Sequence, residues 1–376
     1  MTKTLPPTGA LTSLEAAVAM LLDGQAPVAP SFLPLEAALG RVAAEMPPLA
    51  QPLPAVSMAT MDGWAFRALD LVGASAYSPL PLASAPIWVE TGDAMPEGCD
   101  CVVEAGLVDY GGPIAQAMGE AAPGQGIRRA GEDIEAGRSI ISARQRLSAA
   151  DLLVARSAGV PEVAVRMPRL RLIDIAAPNG DQASAQFIAE TAKLSGAVVA
   201  GIETVARDMT SIAGTLDEVN CDFIVLVGGT GEGRADATGK ALAARGALMA
   251  HNLALRPGRS TAIGRLGATP IVALPGAPDQ ALAVFFALVR PVLDRLSGIS
   301  DRQKMVLPLA RKISSTVGLA EIVLVKQDKD AWVPLAVGDF SLEAIRLAQG
   351  WLVIPGGSEG YAAGTPVAAL PLRDFT

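Results

Sequence analysis

The chain has 376 residues, is 51% hydrophobic but only 4% aromatic, and carries a formal charge of −8. That length exceeds one ordinary core and predicts several domains, while the acidic balance excludes a general nucleic-acid-binding surface, so an anionic ligand needs a locally basic pocket. Mean hydropathy is +0.37, yet the most apolar runs, such as 281–293, are broken by Arg290 and Pro291 and fall short of the roughly 20 residues of a spanning helix, so no membrane segment is expected.

The N-terminus, MTKTLPPTGALTS, has no continuous apolar stretch and predicts no secretory leader. Thr12 and Glu15 form a capping-box pattern, followed by apolar Leu14, Ala17, Val18, Leu21 and Leu22 on one face, with Gly24 ending the helix. A short second helix is expected at 34–39. From 45 to about 137 the chain is rich in Pro and Gly, with short apolar pieces at 87–90, 101–104 and 106–109, which predicts a β-rich module. Cys99 and Cys101 fall here and read as two small, half-buried strand residues rather than a soft-metal pair. With Cys221 they argue against a disulfide framework and suit a reducing cytoplasm. Helical signal returns at 148–159, capped by Ser148 and Asp151.

Beyond it, continuous apolar strands at 170–175, 197–202, 223–227 and 271–274 alternate with helical stretches at 185–194, 209–219, 236–244 and 279–296. That alternation implies a parallel sheet covered on both faces. After Gly298 the chain is strand-like again (305–310, 321–325, 332–336, 351–354, 366–370), as a separate small β domain would be.

The strongest chemical signal is the buried strand 223–227 running into Gly228-Gly229-Thr230-Gly231-Glu232-Gly233-Arg234-Ala235-Asp236. Glycines let backbone amides approach an anion, and the carboxyl ends of parallel strands form the usual ligand crevice. Asp236 is placed to hold a metal ion or fix a ligand group. No Gly-Lys-Ser/Thr follows, so this is not a P-loop; a plain tight strand–helix turn is the competing reading. Arg256 and Arg259 flank a Pro-Gly turn and can grip one anion, or form a solvated charged turn. Pro275, Gly276 and Pro278 follow a strand and read as a rigid wall or a simple terminator. Asp62, Thr91 and Asp133 each lie beside glycines, where ordinary turns are commoner. His251, the single histidine, reads as a surface or satisfied residue.

Taken together and in order, these segments resemble the molybdopterin molybdenumtransferase family, MoeA, whose eukaryotic counterpart is the gephyrin E domain. Met61-Asp62-Gly63-Trp64-Ala65 is similar to the family's Met-Asp-Gly-Tyr-Ala, and 91–98 to its Thr-Gly-x-x-x-Pro-x-Gly. Residues 128–137 match Arg-x-x-Gly-Glu-Asp-Ile-x-x-Gly, and 256–278 fit its Lys-Pro-Gly-Lys-Pro and Leu-Pro-Gly-Asn-Pro loops.

The resemblance implies a multidomain α/β plus β fold in four regions. These are a helical linking region (1–45 with 138–167), an inserted β-rich domain (46–137), a three-layer α/β molybdopterin-binding domain with a mostly parallel sheet (168–300) and a C-terminal β barrel (301–376). It implies a cytoplasmic homodimer using Mg²⁺, a transferase that binds adenylylated molybdopterin and inserts molybdate with release of AMP. Carried over, the catalytic residues are Asp62, Thr91, Asp133, Asp236 and Arg256. The ligand-binding set is Gly228, Gly229, Thr230, Gly231, Asp236, Arg256, Arg259, Pro275, Gly276 and Pro278, with Asp236 on the metal.

The chain departs from the family at Ala177 and Pro178, where an Asp-Glu pair is usual, and at Gln182-Ala183-Ser184, where Asp-Ser/Thr-Asn is usual. It also has Asn252 for a lysine, Arg256 and Arg259 for two more, and Thr230-Gly231 for Val-Ser. Two other readings follow. One is a non-catalytic carrier of the cofactor, with a molybdoenzyme as client; the other is an adenylyltransferase-like activity, which the glycine loop resembles.

Overall fold

A computed structural model describes residues 11–216, 220–300 and 302–372. The leader reading at 1–10 and the last turn of the helix expected at 209–219 lie outside them. Among the described residues a six-stranded sheet runs in the order Val198–Val205, Arg169–Ile175, Phe223–Val227, Thr269–Leu274, Ala262–Leu266, Leu248–His251. The first four are parallel and the last two antiparallel. The expected parallel core is therefore present, and a hairpin not foreseen from the sequence extends it.

Alternation sorts the strand side chains onto two faces. Leu170, Leu172, Phe223, Val225 and Val272 face the helices Leu14–Leu22, Ala183–Leu194 and Pro278–Ser297. Ile173, Ile175, Ile224, Leu226 and Ile271 face Met209–Gly214 and Thr238–Ala244. Burial on both faces explains why these strands read as unbroken apolar runs.

The long helix passes through Arg290 and Pro291 instead of stopping. A π turn at Phe285–Val289 precedes them, which opens the backbone where a proline ring would meet the carbonyl four residues back. Arg290 is buried, its guanidinium 4.8 Å from the Phe286 ring centre.

The first helix begins one residue later than the capping pattern predicts. Thr12–Ser13 is a short strand paired with Leu253–Ala254, which moves the cap to Ser13, whose Oγ accepts from Ala16 N–H at 3.2 Å. The Ser148–Asp151 capping box forms as expected over Ala149–Ser157. That helix and Leu35–Ala38 cover a three-stranded sheet, Ser31–Pro34, Glu162–Arg166 and Val42–Ala43.

Residues between these segments form small sheets, among them Ile87–Val89, Gly63–Phe66 and Cys101–Val103. The chain enters and leaves this module side by side: Leu49 N–H donates to Arg138 O at 2.9 Å and Gly137 N–H to Leu49 O at 2.8 Å.

The expected C-terminal barrel is built from the ladder Ala331–Val337, Ala320–Asp328, Gly350–Ile354, Pro366–Pro371, Met305–Pro308, whose ends come back together where Leu309 bridges Trp332 and Ala310 N–H donates to Trp332 O at 2.8 Å, while Leu253–Arg256 and Thr12–Ser13 extend the sheet beyond Ala320–Asp328. It borrows a strand from the α/β unit, so the two are joined by backbone hydrogen bonds as well as by sequence.

Phe223 is fully buried at the sheet centre. Phe223→Ala is expected to lower stability by about 3–5 kcal/mol, read from urea unfolding by circular dichroism. A loss below about 1 kcal/mol would contradict this packing.

Candidate functional site

Strand connections diverge at one place in the sheet. From Arg169–Ile175 the chain returns through Ala183–Leu194 to the strand on one side, whereas from Phe223–Val227 it leaves through Thr238–Ala244 toward the opposite edge. Neighbouring parallel strands with diverging connections leave a crevice beyond their carboxyl ends. The loop after each strand faces it.

The glycine loop is built for close approach. Gly228 and Gly229 have φ of +100° and +66°. A Cβ at Gly228 would lie 3.2 Å from Ile175 O, and one at Gly229 2.7 Å from Thr238 Oγ1. Thr238 is buried; its hydroxyl donates to Gly228 O at 2.9 Å and its N–H to Gly229 O at 3.0 Å, closing the turn. Thr230 is 2% exposed. Its carbonyl accepts from His251 Nε2 at 2.9 Å and its hydroxyl meets Ser260 Oγ at 3.2 Å. His251 is thus a satisfied residue, and one that braces the loop.

Asp236 folds back into the same loop. Its Oδ2 accepts from Gly233 N–H at 3.1 Å and lies 2.6 Å from where a Gly231 Cβ would sit. Oδ1 accepts from Arg207 Nη2 at 2.6 Å and Nε at 3.2 Å. The third and fourth glycines therefore make room for a carboxylate that already has a cationic partner. Arg207 was not singled out from the sequence. It stands 29 residues from Asp236, and only the parallel crossover brings them together.

Two further loops adjoin. The Thr230–Ser260 contact ties the glycine loop to 256–260. Gly228 N–H donates to Leu274 O at 2.8 Å, and Ser184 Oγ to Gly276 O at 2.7 Å, which fixes the 275–278 loop beside it. Pro275 is buried, Gly276 is exposed and Pro278 opens a helix. Arg256 and Arg259 line one cleft of about 480 Å³ with Asp279, Gln280, Gly338 and Asp339. Arg256 leans to the C-terminal sheet, 3.4 Å from the buried Glu321 carboxylate. Arg259 is exposed, and its guanidinium has no hydrogen-bond or ion-pair partner among the described residues.

Asp62, Thr91 and Asp133 make their contacts within the inserted module. Asp62 Oδ1 accepts from Thr91 N–H at 2.7 Å and Thr91 Oγ1 at 2.8 Å, and these bonds hold its carboxyl below the usual range. Asp133 pairs with Arg128 at 3.5 Å. Burial pushes the Cys101 thiol up to about 11, the state of an unreactive buried thiol. Among the described residues no group of three or more His, Cys, Asp or Glu side chains is arranged to hold a metal ion.

One acid at the crevice escaped the sequence reading. Asp174 is 4% exposed at the end of its strand, where Gln182 Nε2 donates to its Oδ2 at 3.2 Å and lies 2.7 Å from Thr204 Oγ1. A lone acid in an apolar strand was the available signal. Burial raises its pKa, partly offset by the Gln182 bond. The folded protein therefore binds a proton that the unfolded chain has lost, and stability falls as pH rises from about 4 through that window. Asp174→Asn is expected to gain stability over the parent between acid and neutral pH; parallel urea-midpoint curves would overturn the assignment.

Two family models match the chain: "MoeA N-terminal region (domain I and II)" over residues 12–159 and "Probable molybdopterin binding domain" over 175–295. The chain is 29% identical to Molybdopterin molybdenumtransferase 2 of Mycobacterium tuberculosis, covering 83% of this chain and 88% of that protein. It is 27% identical to Molybdopterin molybdenumtransferase of Synechococcus elongatus, covering 95% and 98%. Among solved structures, the molybdopterin biosynthesis MoeA protein of Pyrococcus horikoshii aligns with a TM-score of 0.75 at 26% identity, over 97% of this chain and all of that one.

Proposed function

From the premise that the chain belongs to the MoeA family and acts in molybdenum cofactor biosynthesis, we propose that the crevice binds adenylylated molybdopterin and inserts molybdate with release of AMP. The observation that carries this reading is the convergence of three loops, 228–236, 256–260 and 275–278, beyond the diverging strands. In it the ligand's phosphates lie against the backbone amides of 229–231, with Arg256 and Arg259 offsetting the charge of phosphate and molybdate together. Pro275, Gly276 and Pro278 form the wall.

Mg²⁺, which the family implies, would be held by the Asp236 carboxylate, since magnesium at phosphate sites commonly uses one or two protein carboxylates. When bound it supplies charge neutralisation at the phosphates. Arg207 must then release Asp236. Asp62, Thr91 and Asp133 act, in this reading, from the inserted module of a second subunit of a cytoplasmic homodimer. The four-region division at 46–137, 168–300 and 301–376, with 1–45 and 138–167 as the link, belongs to the same proposal.

A second reading is favoured by one observation. Asp236 is already neutralised by Arg207, and the neighbouring positions 177 and 178 are Ala and Pro. A site with its acids absent or paired holds the ligand better than it turns it over, as a carrier for a molybdoenzyme client does.

Calorimetry with adenylylated molybdopterin is expected to give saturable binding that weakens about tenfold in Arg256→Ala, as loss of a charge-assisted bond does, and, with Mg²⁺ present, in Asp236→Ala as well. Unchanged affinity in both variants would remove this site. Adding molybdate and Mg²⁺ then separates the readings: AMP release with metal incorporation identifies the transferase, and binding without AMP the carrier.

A further inference from the structure

A larger cavity, of about 730 Å³, lies at the other end of the long helix. That helical stretch, Pro278 to Ser297, starts at the 275–278 loop and carries the chain roughly 30 Å away to Gly298, which lines the cavity. Five basic side chains line it, Arg144, Arg166, Arg295, Arg302 and Lys304, against two acidic ones, Glu45 and Asp294. This basic surplus stands out in a chain whose formal charge is −8.

The pairing decides what the surplus means. Arg302 holds Asp294 in a two-pronged bond, both contacts 2.7 Å. The other arginines are fixed by neutral partners. Arg144 Nε–H donates to Gly298 O at 3.2 Å, Arg295 Nε–H to Gln25 O at 2.8 Å, and Arg166 Nη1 to Val28 O. A carbonyl fixes a guanidinium in place without neutralising it. Among the described residues these three arginines and Lys304 have no carboxylate within ion-pair distance.

Arg144 is also held in the left-handed region at φ +67°, uncommon for such a side chain, where its carbonyl accepts from Ser300 N–H at 2.8 Å. One effect opposes an anion here. The helix ends at Gly298, and its carboxyl end carries about half a negative charge. Among the described residues, four cations without a carboxylate partner against Glu45 and that half charge leave the lining positive. Pinning of backbone segments accounts for one N–H of each arginine but not for Lys304, which pins nothing.

We propose that this cavity is a second ligand site, separate from the crevice, and that it takes a compact polyanion of the pyrophosphate class. The oxygens of such a ligand accept from the remaining guanidinium N–H groups, and convergent arginines suit them geometrically.

Calorimetry of the full chain with inorganic pyrophosphate at low salt tests this. Saturable binding is expected, weakening as salt is added. Arg144→Gln with Arg295→Gln should raise Kd at least tenfold. Lys304→Gln, which removes no bond within the fold, should raise it several-fold while leaving the thermal melt unchanged. Arg259→Gln, at the other end of the long helix, should weaken only phosphate binding at the glycine loop and leave the cavity's own Kd as it was. The proposal fails if the parent shows no saturable binding. It fails equally if Lys304→Gln and the double variant both bind like the parent, or if the loss is confined to Arg259→Gln, which would put pyrophosphate at the glycine-loop end.

Discussion

Between the carboxyl ends of the strands Arg169–Ile175 and Phe223–Val227 the backbone turns so tightly that a Cβ on Gly228 would crowd Ile175 O at 3.2 Å. Much of the site follows from that closeness. It forces a left-handed turn, which Thr238 closes by bonding both glycine carbonyls. The turn in turn sets where Thr230 lies, and through Thr230 the positions of His251 and Ser260. A glycine-rich loop is usually credited to its ligand, but here packing alone already demands the first two glycines and an inward-folded carboxylate the next two. Loop shape and ligand access are satisfied by the same residues.

The charges around the crevice follow another logic. Asp236, Arg207, Glu321 and Arg256 are each partnered across elements distant in sequence, and partly buried ions need such partners. The site is therefore electrostatically settled before any ligand arrives. In the proposed reading, an incoming anion gains Arg259 outright but must compete for Arg256 and Arg207. Balance between competing pairs, more than the number of basic residues, sets how tightly phosphate is held.

Features governed by local rules were legible in the sequence. The strand Phe223–Val227 was read end to end because burial on both faces leaves no polar interruption, and the Ser148–Asp151 cap because its two partners are three residues apart. The strand Leu248–His251 at the sheet edge and Ala262–Leu266 beside it were missed: they are short, compositionally mixed, and acquire their identity only by pairing with the sheet and each other. Thr12 was misread as a cap because its pairing with Leu253 lies far along the chain. Arg207 and Gln182 were invisible as site residues for the same reason, since their partners are set by strand order. The five family motifs supplied what periodicity lacked, namely which loops belong together.

The inserted module meets the rest of the chain through two segments that run side by side, bridged at Val42 and Arg146 and again at Leu53 and Ile134. Leu49 bonds both Arg138 and Gly137, so the two crossing strands of chain stand side by side. Such a geometry lets a whole domain be acquired, exchanged or deleted in a lineage by editing one surface turn, without disturbing the sheet it left.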